Sequence, residues 1–375
     1  MRKTSLHWSW RNPAAEKCYR TGVSLHSHTL YSEESLAFVP RYTAGLPIAA
    51  HAIAGQAERY KTLTGRDLDF SRAFWRPPLG PREAYDLETK QIEALGLDAL
   101  VSLSDHDDIQ AGSQLAVLEA HQPISVEWTI PFGPSFFHMG VHNLPAEHAP
   151  AIMTELESFT AQPVRSRFAE LLAWLDGFGQ TLIILNHPMW DEARIGVVEH
   201  AQLLGRVIER YGEHIHALEL NGLRPWKENQ RVIWLAEQSG HVLVSGGDRH
   251  GLEPNANLNL TNAQSFAEFV AEIRQDRISE VLFMPQYREP LKLRMIETMC
   301  DIVRDYPEFP IGRRRWNERV FYRQDDGVVR PLAAIWQRDE PWPVKWFLGG
   351  LRAIMSRQVR TALRLALADP QEAGL

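Results

Sequence analysis

The sequence is poor in cysteine and has no long apolar run, and both absences exclude classes of protein. Cys18 and Cys300 lie far apart in the 375-residue chain and lack metal-site spacing, so we expect no disulfide framework. No stretch of 18 apolar residues occurs, so we expect no membrane-spanning helix. The N-terminal segment is charged and lacks the apolar core of a secretory signal peptide. These observations favour a cytoplasmic protein.

Excess positive charge is lacking as well. The formal net charge is −7 and the isoelectric point is about 6.1. This balance argues against a protein that binds long nucleic acids through bulk positive charge. A hydrophobic content of 44% and a charged content of 23% are typical of a folded globular chain.

Seven short apolar runs, each ending in polar residues, are present and predict strands. Helical patterns lie between several of them, at 82–96, 164–179 and 230–240, and each closes on a glycine. Strands that alternate with helices favour an α/β fold with a parallel sheet, and seven strands suit a barrel. The seven runs are 22–28, 97–107, 123–128, 135–144, 181–188, 216–222 and 241–250.

The pattern suggests three parts: a lead-in at 1–21, a barrel at 22–305 and an extension at 306–375. The proline-rich segment 37–81 is interpreted as an insertion over the barrel mouth. Its Arg72, Arg76, Phe74 and Trp75, with Arg82 just beyond it, could select the substrate. The basic run 312–316 is a phosphate contact or a solvated loop. An amphipathic helix at 344–369 packs, joins a partner in a homo-oligomer, or lies on a membrane surface.

Strand after strand ends in a residue type that binds metals. In a parallel α/β barrel, functional residues lie at the C-terminal ends of strands. Each residue alone is unremarkable, because a histidine at a strand end is usually a satisfied polar group. Their succession predicts a metal site for Mn, Zn or Fe. The residues are His26, His28, His106, Glu127, His138, His187, Asp248 and His250.

These segments resemble the motifs of the PHP (polymerase and histidinol phosphatase) family, in the family's order, over about residues 22–255. "HSHTLYSEE" (26–34) resembles H-x-H-T-x-x-S-D-G, with Glu33 where the family usually has Asp. "SDHD" (104–107) resembles T-D-H-D, "SVE" (125–127) resembles G-x-E, and "FHMG" (137–140) resembles the strand with the next histidine. "LNHP" (185–188) resembles A-H-P, and "GGDRH" (246–250) resembles G-S-D-A-H.

The resemblance implies a distorted seven-stranded (β/α)7 barrel with two to three divalent metal ions. It implies a first ion held by His26, His28, Glu127 and Asp248. A second would be held by Glu127, His138 and His187, with Glu127 bridging. A third would be held by Glu33, His106 and His250.

The implied activity is that of a metal-dependent phosphoesterase, in which an activated water attacks phosphorus in line. The catalytic set would be Asp105, His106, Glu127, Asp248 and His250. Glu219 could orient a ligand, and Arg249 and His142 are candidate substrate contacts. The expected substrate is a small phosphomonoester, a nucleotide-derived phosphate or a short oligonucleotide.

Two other functions remain open. The first is a metal-dependent hydrolase of a non-phosphate bond, as in amidohydrolase-like proteins. Those often use a carboxylated lysine as bridge, and here no lysine ends a strand while Glu127 fills that position. The second is a non-catalytic metal-binding scaffold, against which the complete set of ligand types argues.

Overall fold

The computed structural model describes residues 3–40, 47–119, 122–336, 342–354 and 357–367. The chain divides into two compact units. Unit 1 comprises Met1–Ser32, Leu79–Met295 and Arg364–Leu375. Unit 2 comprises Glu33–Pro78 and Ile296–Leu363.

The described residues form strands and helices in alternation over much of unit 1. The strands are β1 (Lys3–Trp8), β2 (Thr21–Ser24), β3 (Glu34–Ser35), β4 (Ala73–Trp75), β5 (Asp98–Val101), β6 (Ile124–Phe132), β7 (Ser135–Leu144), β8 (Leu182–Leu185), β9 (Ala217–Asn221), β10 (Val242–Gly246), β11 (Asn257–Thr261), β12 (Ile278–Phe283), β13 (Val320–Arg323) and β14 (Val329–Pro331). The α-helices are Pro47–Thr64, Pro81–Glu93, Gln110–Leu118, Ala149–Ala161, Arg165–Asp176, Val197–Tyr211, Trp226–Ser239, Phe266–Ala271, Leu291–Ile302, Leu332–Trp336, Trp342–Ile354 and Arg357–Ala366.

The strands of unit 1 form two five-stranded mixed sheets. The first has the order β1-β12-β11-β2-β5, and the second has the order β10-β9-β8-β7-β6. Strand β11 pairs antiparallel with β12 and β2, and β7 pairs antiparallel with β6 and β8. The neighbours β1/β12, β2/β5, β8/β9 and β9/β10 pair in parallel.

The prediction of a distorted seven-stranded (β/α)7 barrel is wrong. All seven predicted strands are present, but the described residues form three separate sheets, and none of them closes into a barrel. A parallel neighbour needs a long crossover, whereas only Gly133 and Pro134 separate β6 from β7, so these strands form a hairpin. Gly133 has φ 67°, a value that suits glycine in such a turn. Isolated bridges join Ser27 to Arg249, both beyond strand ends, and His106 to Glu127 of β6.

The core of unit 1 fills the faces of the second sheet. Trp128 of β6 is fully buried against Phe159 and Phe168, and its indole N–H donates to Thr160 Oγ1 at 3.0 Å. Leu156 is fully buried in the same cluster. Removing such a leucine side chain costs about 2–5 kcal/mol of unfolding free energy, because a cavity remains.

Unit 2 has its own antiparallel sheet, β14-β13-β4-β3. Trp316, Val320 and Leu348 form a small buried cluster in this unit. The segment interpreted as an irregular insertion contains the helix Pro47–Thr64 and strand β4, while residues 41–46 lie outside the described residues.

The C-terminal amphipathic pattern corresponds to two described helices, Trp342–Ile354 and Arg357–Ala366. Residues 355, 356, 368 and 369 of the predicted helix lie outside the described residues. Among the helices that are described, none combines the length and the apolar character needed to cross a membrane.

Candidate metal centre

Six of the eight predicted ligands in unit 1 follow a strand, whereas Glu127 and His138 lie within β6 and β7, so the prediction that Glu127 ends its strand is wrong. His26 and His28 follow β2, His106 follows β5, and Glu127 and His138 lie on the β6–β7 hairpin. His187 follows β8, and Asp248 and His250 follow β10. The isolated bridges described above and the pairing of β2 with β5 bring the chain that follows β2, β5 and β10 close to Glu127 of β6, so residues distant in sequence meet at one place.

The carboxylate of Glu127 is the centre of this arrangement. It is fully buried, and five imidazole rings surround its two oxygens. Glu127 Oε2 lies 3.0 Å from His26 Nε2, 3.3 Å from His28 Nε2 and 3.2 Å from His106 Nδ1. Glu127 Oε1 lies 3.2 Å from His187 Nε2 and 3.6 Å from His138 Nδ1.

Asp248 supplies a second carboxylate beside the first pair of histidines. Its Oδ1 lies 3.4 Å from His28 Nε2, 3.7 Å from His26 Nε2 and 3.6 Å from His250 Nδ1. The side chain of Asp248 is nearly buried, so water offers it little solvation. A carboxylate held this deep requires positive charge close by.

The donor atoms fit divalent metal ions. His26 Nε2 and Glu127 Oε2 are buried, and neither makes a hydrogen bond to any described residue, which is costly for polar atoms unless another group satisfies them. The ligand atoms of His26, His28 and Glu127 lie within 4.8 Å of one another. Those of His106, Glu127 and His138 do so too. Imidazole and carboxylate together suit Zn, Mn or Fe, and the two clusters share Glu127.

Outer carboxylate and amide groups fix the ligands. His26 Nδ1 donates to Glu219 Oε1 at 2.6 Å, so its Nε2 is turned towards Glu127. Glu219 Oε2 accepts from the backbone N–H of His187 at 2.6 Å. Asn186 Nδ2 donates to Glu127 Oε1 at 2.9 Å. A carboxylate that orients a histidine in this way is the common support of a metal-ligating imidazole.

A glycine makes room for this support. A Cβ atom on Gly246, the last residue of β10, would lie 1.5 Å from Glu219 Oε1. No side chain can occupy that space without displacing the carboxylate. Gly246 is therefore required for close approach rather than for an unusual backbone angle.

Asp105 holds the first motif in place. Its Oδ2 accepts from the Thr29 hydroxyl at 2.7 Å, and its Oδ1 accepts from the Thr29 backbone N–H. The backbone carbonyl of Asp105 accepts from the N–H of Glu127 at 3.0 Å. Asp105 thus connects the segment that carries His28 to the strand that carries Glu127.

The two candidate substrate contacts are both buried. Arg249 is 3% exposed, and its guanidinium pairs with Glu88. His142 is fully buried, and its Nδ1 lies 2.8 Å from Ser102 Oγ. A role for either residue in substrate binding stays a prediction.

Glu33 is the first residue of unit 2. Its carboxylate pairs with Arg76 Nη2 at 2.8 Å and with Arg323 Nη2 at 3.4 Å, and both arginines belong to the same unit. Its role as a metal ligand stays a prediction.

The backbone is strained at three of the predicted ligands. His26, His187 and Asp248 have φ values of 62°, 26° and 54°, in the left-handed region that side chains rarely adopt. Each lies just after a strand of a buried sheet. Such strain persists where the surrounding structure enforces it, and it concentrates at functional sites.

Charge balance shifts the pKa values of these groups in opposite directions. Burial raises the pKa of Glu127, but His26, His106 and His138 outweigh it and hold that pKa well below its usual range. Burial lowers the pKa of His26, yet the carboxylates of Glu127, Glu219 and Asp248 raise it well above its usual value. Glu127 likewise raises the pKa of His187 against the effect of burial. The Glu127 carboxylate is thus ionised and able to bind cations.

An aromatic ring beside His187, and a cation stacked on that ring, were not predicted from the sequence. The Trp190 ring lies 5.1 Å from the His187 ring, and the Arg224 guanidinium stacks on Trp190 at 4.5 Å. Glu228 fixes that guanidinium through contacts of 2.8 and 3.0 Å. Trp190 lies in the loop after β8, and Arg224 lies in the loop after β9. Their position after strands that lead to site residues was the feature from which the sequence could have identified them.

Comparisons with known proteins give weak likenesses. No family model matches the chain, and no curated protein matches it. PsfC from Pseudomonas syringae superposes with a TM-score of 0.41 and 15% identity over 75% of this chain and 97% of its own. An amidohydrolase from Chromobacterium violaceum, with bound sulfate and no metal, superposes with a TM-score of 0.35 and 18% identity, over 46% of this chain and 83% of its own. A Bifidobacterium adolescentis protein provisionally described as a metal-dependent phosphoesterase superposes with a TM-score of 0.31 and 14% identity, over 52% of this chain and 91% of its own. At these scores the likenesses support no functional argument, so the geometry must carry it.

Proposed function

We propose that the chain is a metal-dependent phosphoesterase that hydrolyses a small phosphomonoester or a nucleotide-derived phosphate. The observation that carries the proposal is the buried Glu127 carboxylate with five imidazole nitrogens within 3.6 Å of its oxygens. A purely structural role does not explain such a cluster, because buried titratable groups at this density destabilise a fold unless cations balance them.

The distances support two ligand sets that share Glu127. His26, His28 and Asp248 with Glu127 would hold one ion, and His138 and His187 with Glu127 would hold a second. Divalent ions bound there supply Lewis acidity, which lowers the pKa of water and neutralises charge on substrate oxygens. Glu127 separates the two sets with one oxygen for each, and Glu219 keeps the His26 imidazole in the orientation that ligation requires.

Arg224 favours an anionic substrate. Its Nε and Nη2 are held by Glu228, and its guanidinium stacks on Trp190, the ring that lies 5.1 Å from the His187 ring. The remaining N–H groups of a guanidinium held in a fixed orientation can donate to phosphate oxygens. An anionic phosphate ester would gain from these N–H groups more than a neutral amide would, which is why we favour phosphate esters over the amidohydrolase alternative.

The test combines elemental analysis with a substrate screen on the purified protein. Phosphomonoesters, nucleotides, nucleoside bisphosphates and short oligonucleotides are supplied with Mn²⁺ or Zn²⁺; released phosphate is measured for the monoesters and released nucleotide for the oligonucleotides. Glu127→Gln keeps the side-chain size but removes the charge, so we expect metal content to fall and phosphate release to drop on the order of 100-fold or more. Glu209→Gln, in an exposed part of the helix Val197–Tyr211, is the matched control.

The outcomes separate the alternatives. Metal occupancy with phosphate release that Glu127→Gln abolishes supports the proposal. Full occupancy with neither phosphate nor nucleotide released from any substrate would favour hydrolysis of a non-phosphate bond. Absence of bound metal after Mn²⁺ and Zn²⁺ have been supplied would refute the metal site itself. Homo-oligomer formation through the C-terminal helix stays a prediction that light scattering can test.

A further inference from the structure

A buried ion pair between Glu88 and Arg249 lies behind the candidate ligands. Glu88, on the helix Pro81–Glu93, is fully buried, and Arg249 is 3% exposed. Arg249 Nε lies 3.0 Å from Glu88 Oε1. Burying two charges is expensive, and apolar residues of similar size often serve stability as well or better. Stability alone therefore gives a poor account of this pair.

Arg249 is connected to the first histidine pair through both its side chain and its backbone. Arg249 Nη2 donates to the carbonyl of His28 at 2.9 Å, and Arg249 Nη1 donates to the carbonyl of Gly251 at 2.8 Å. In the reverse direction, the N–H of His28 donates to the carbonyl of Arg249 at 2.9 Å. The segment after β10 is thereby tied to the segment after β2.

Glu88 binds the other side of the same two segments. Its oxygens accept from the hydroxyls of Ser24 at 3.0 Å and Ser27 at 3.4 Å, and from the N–H of Asn255 at 3.2 Å. Asn255 in turn donates to Ser24 Oγ at 2.8 Å and to the carbonyl of Leu25 at 2.9 Å. The Glu88 carboxylate thus contacts the chain just before His26, between His26 and His28, and a few residues after His250.

The positions of the contacts point to the ligands. Ser27 is the residue between His26 and His28, and Arg249 is the residue between Asp248 and His250. The Ser27 hydroxyl and the Arg249 guanidinium contact Glu88, whereas the imidazoles of His26 and His28 contact Glu127. A bridge pairs Ser27 with Arg249 in parallel, so the two triplets lie side by side.

We propose that Glu88 and Arg249 are positioning residues that fix the spacing between the triplets 26–28 and 248–250, and that this pair sets the metal affinity without touching the metal. The inference rests on the proposed metal site. Supports one layer behind metal ligands commonly change metal affinity by about 10- to 100-fold when they are removed.

The experiment measures Co²⁺ affinity by competition with a chelator and records the Co²⁺ absorption spectrum, which reports ligand geometry. Glu88→Gln keeps the shape and removes the charge, and we expect Co²⁺ binding about 10- to 100-fold weaker with an altered spectrum. Arg249→Lys keeps the charge but loses the planar fork, and we expect a shift in the same direction. The second variant serves if the first does not fold.

Leu156→Ala is the control, because it removes a fully buried side chain from the helix Ala149–Ala161 and lowers stability without altering either triplet. We expect it to bind Co²⁺ as the wild type does. Wild-type affinity and spectrum in both Glu88→Gln and Arg249→Lys would overturn the inference and leave the metal site standing. An affinity loss in Leu156→Ala equal to that in Glu88→Gln would also overturn it. A wild-type protein that binds no Co²⁺ would overturn the proposed function and the inference together.

Discussion

His142 allows a prediction about acid stability that can be worked out numerically. It lies on β7, fully buried, with Nδ1 2.8 Å from Ser102 Oγ and with Nε2 lacking a hydrogen-bond partner among the described residues. Burial, assisted by the positive charge of His26, lowers the pKa of His142 to about 3. The perturbation is His142→Gln, which keeps a polar side chain and removes the titrating group.

The magnitude follows from the difference between the folded and unfolded pKa values. An unfolded histidine titrates near 6.5, so below that pH the unfolded chain takes up a proton that the folded chain refuses. The free energy of unfolding must then fall as the pH drops from about 6.5 towards 3. At pH 5.0 the loss is about 1.4 kcal/mol for each of about 1.5 pH units, or about 2 kcal/mol. At pH 7.5 the loss is close to zero.

Urea unfolding of the chelator-treated protein at pH 7.5 and pH 5.0 measures this contribution. Between pH 7.5 and pH 5.0, we expect the free energy of unfolding to fall by about 2 kcal/mol more in the wild type than in His142→Gln. His148→Gln changes an imidazole whose side chain is 52% exposed, and it should follow the wild type at both. Equal losses in the wild type and in His142→Gln would refute the reasoning, because they would mean that the buried imidazole accepts a proton without cost.

Three further predictions concern the metal centre. In Gly246→Ala the added methyl would meet Glu219 Oε1 at 1.5 Å, so we expect the free energy of unfolding to fall by about 1–3 kcal/mol and metal binding to weaken. The control is Gly179→Ala, whose added methyl has open space and should change neither quantity. Because the carboxylates raise the pKa of His26, a metal ion that binds its imidazole must displace a proton. Titration calorimetry in two buffers of different ionisation enthalpy should therefore show proton release. Equal metal affinity at pH 6 and pH 8 would contradict this prediction. Arg224→Lys should raise KM on the order of 10-fold with little change in kcat for a phosphate substrate, and an unchanged KM would exclude substrate contact by this residue.

The sequence was sufficient for the strands that carry the ligands and insufficient for the way in which those strands pair. Runs such as Leu182–Leu185 are apolar at every position because both faces of the strand are buried, and this pattern is visible locally. Strand β11 is not visible in this way. Its Asn257 and Asn259 are fully buried because they donate to the Leu220 carbonyl and to Ser245, which belong to other strands.

The same difference separates the predicted ligands from their supports. A ligand type at a strand end can be recognised from neighbouring residues, whereas Glu88 reads as an ordinary polar residue of a helix. It nevertheless shares the buried stripe of that helix with Ala84 and Ile92, and a carboxylate on an apolar stripe was a signal that could have been used. Its partner Arg249 is distant in sequence, so only the tertiary structure could identify the pair.

The β6–β7 hairpin has a consequence for the order in which the site assembles. Glu127 pairs with Gly140 and Thr129 pairs with His138 across a two-residue turn, so two of the candidate ligands come together through contacts that are local in sequence. Contacts between residues close in sequence close only a short loop, which costs little entropy, so they form early. Bringing the ends of β2 and β10 together must close a much longer loop. We therefore expect the Glu127–His138 half of the centre to exist before the His26–Asp248 half. A nascent chain that has reached this stage already offers a cation its first two donors.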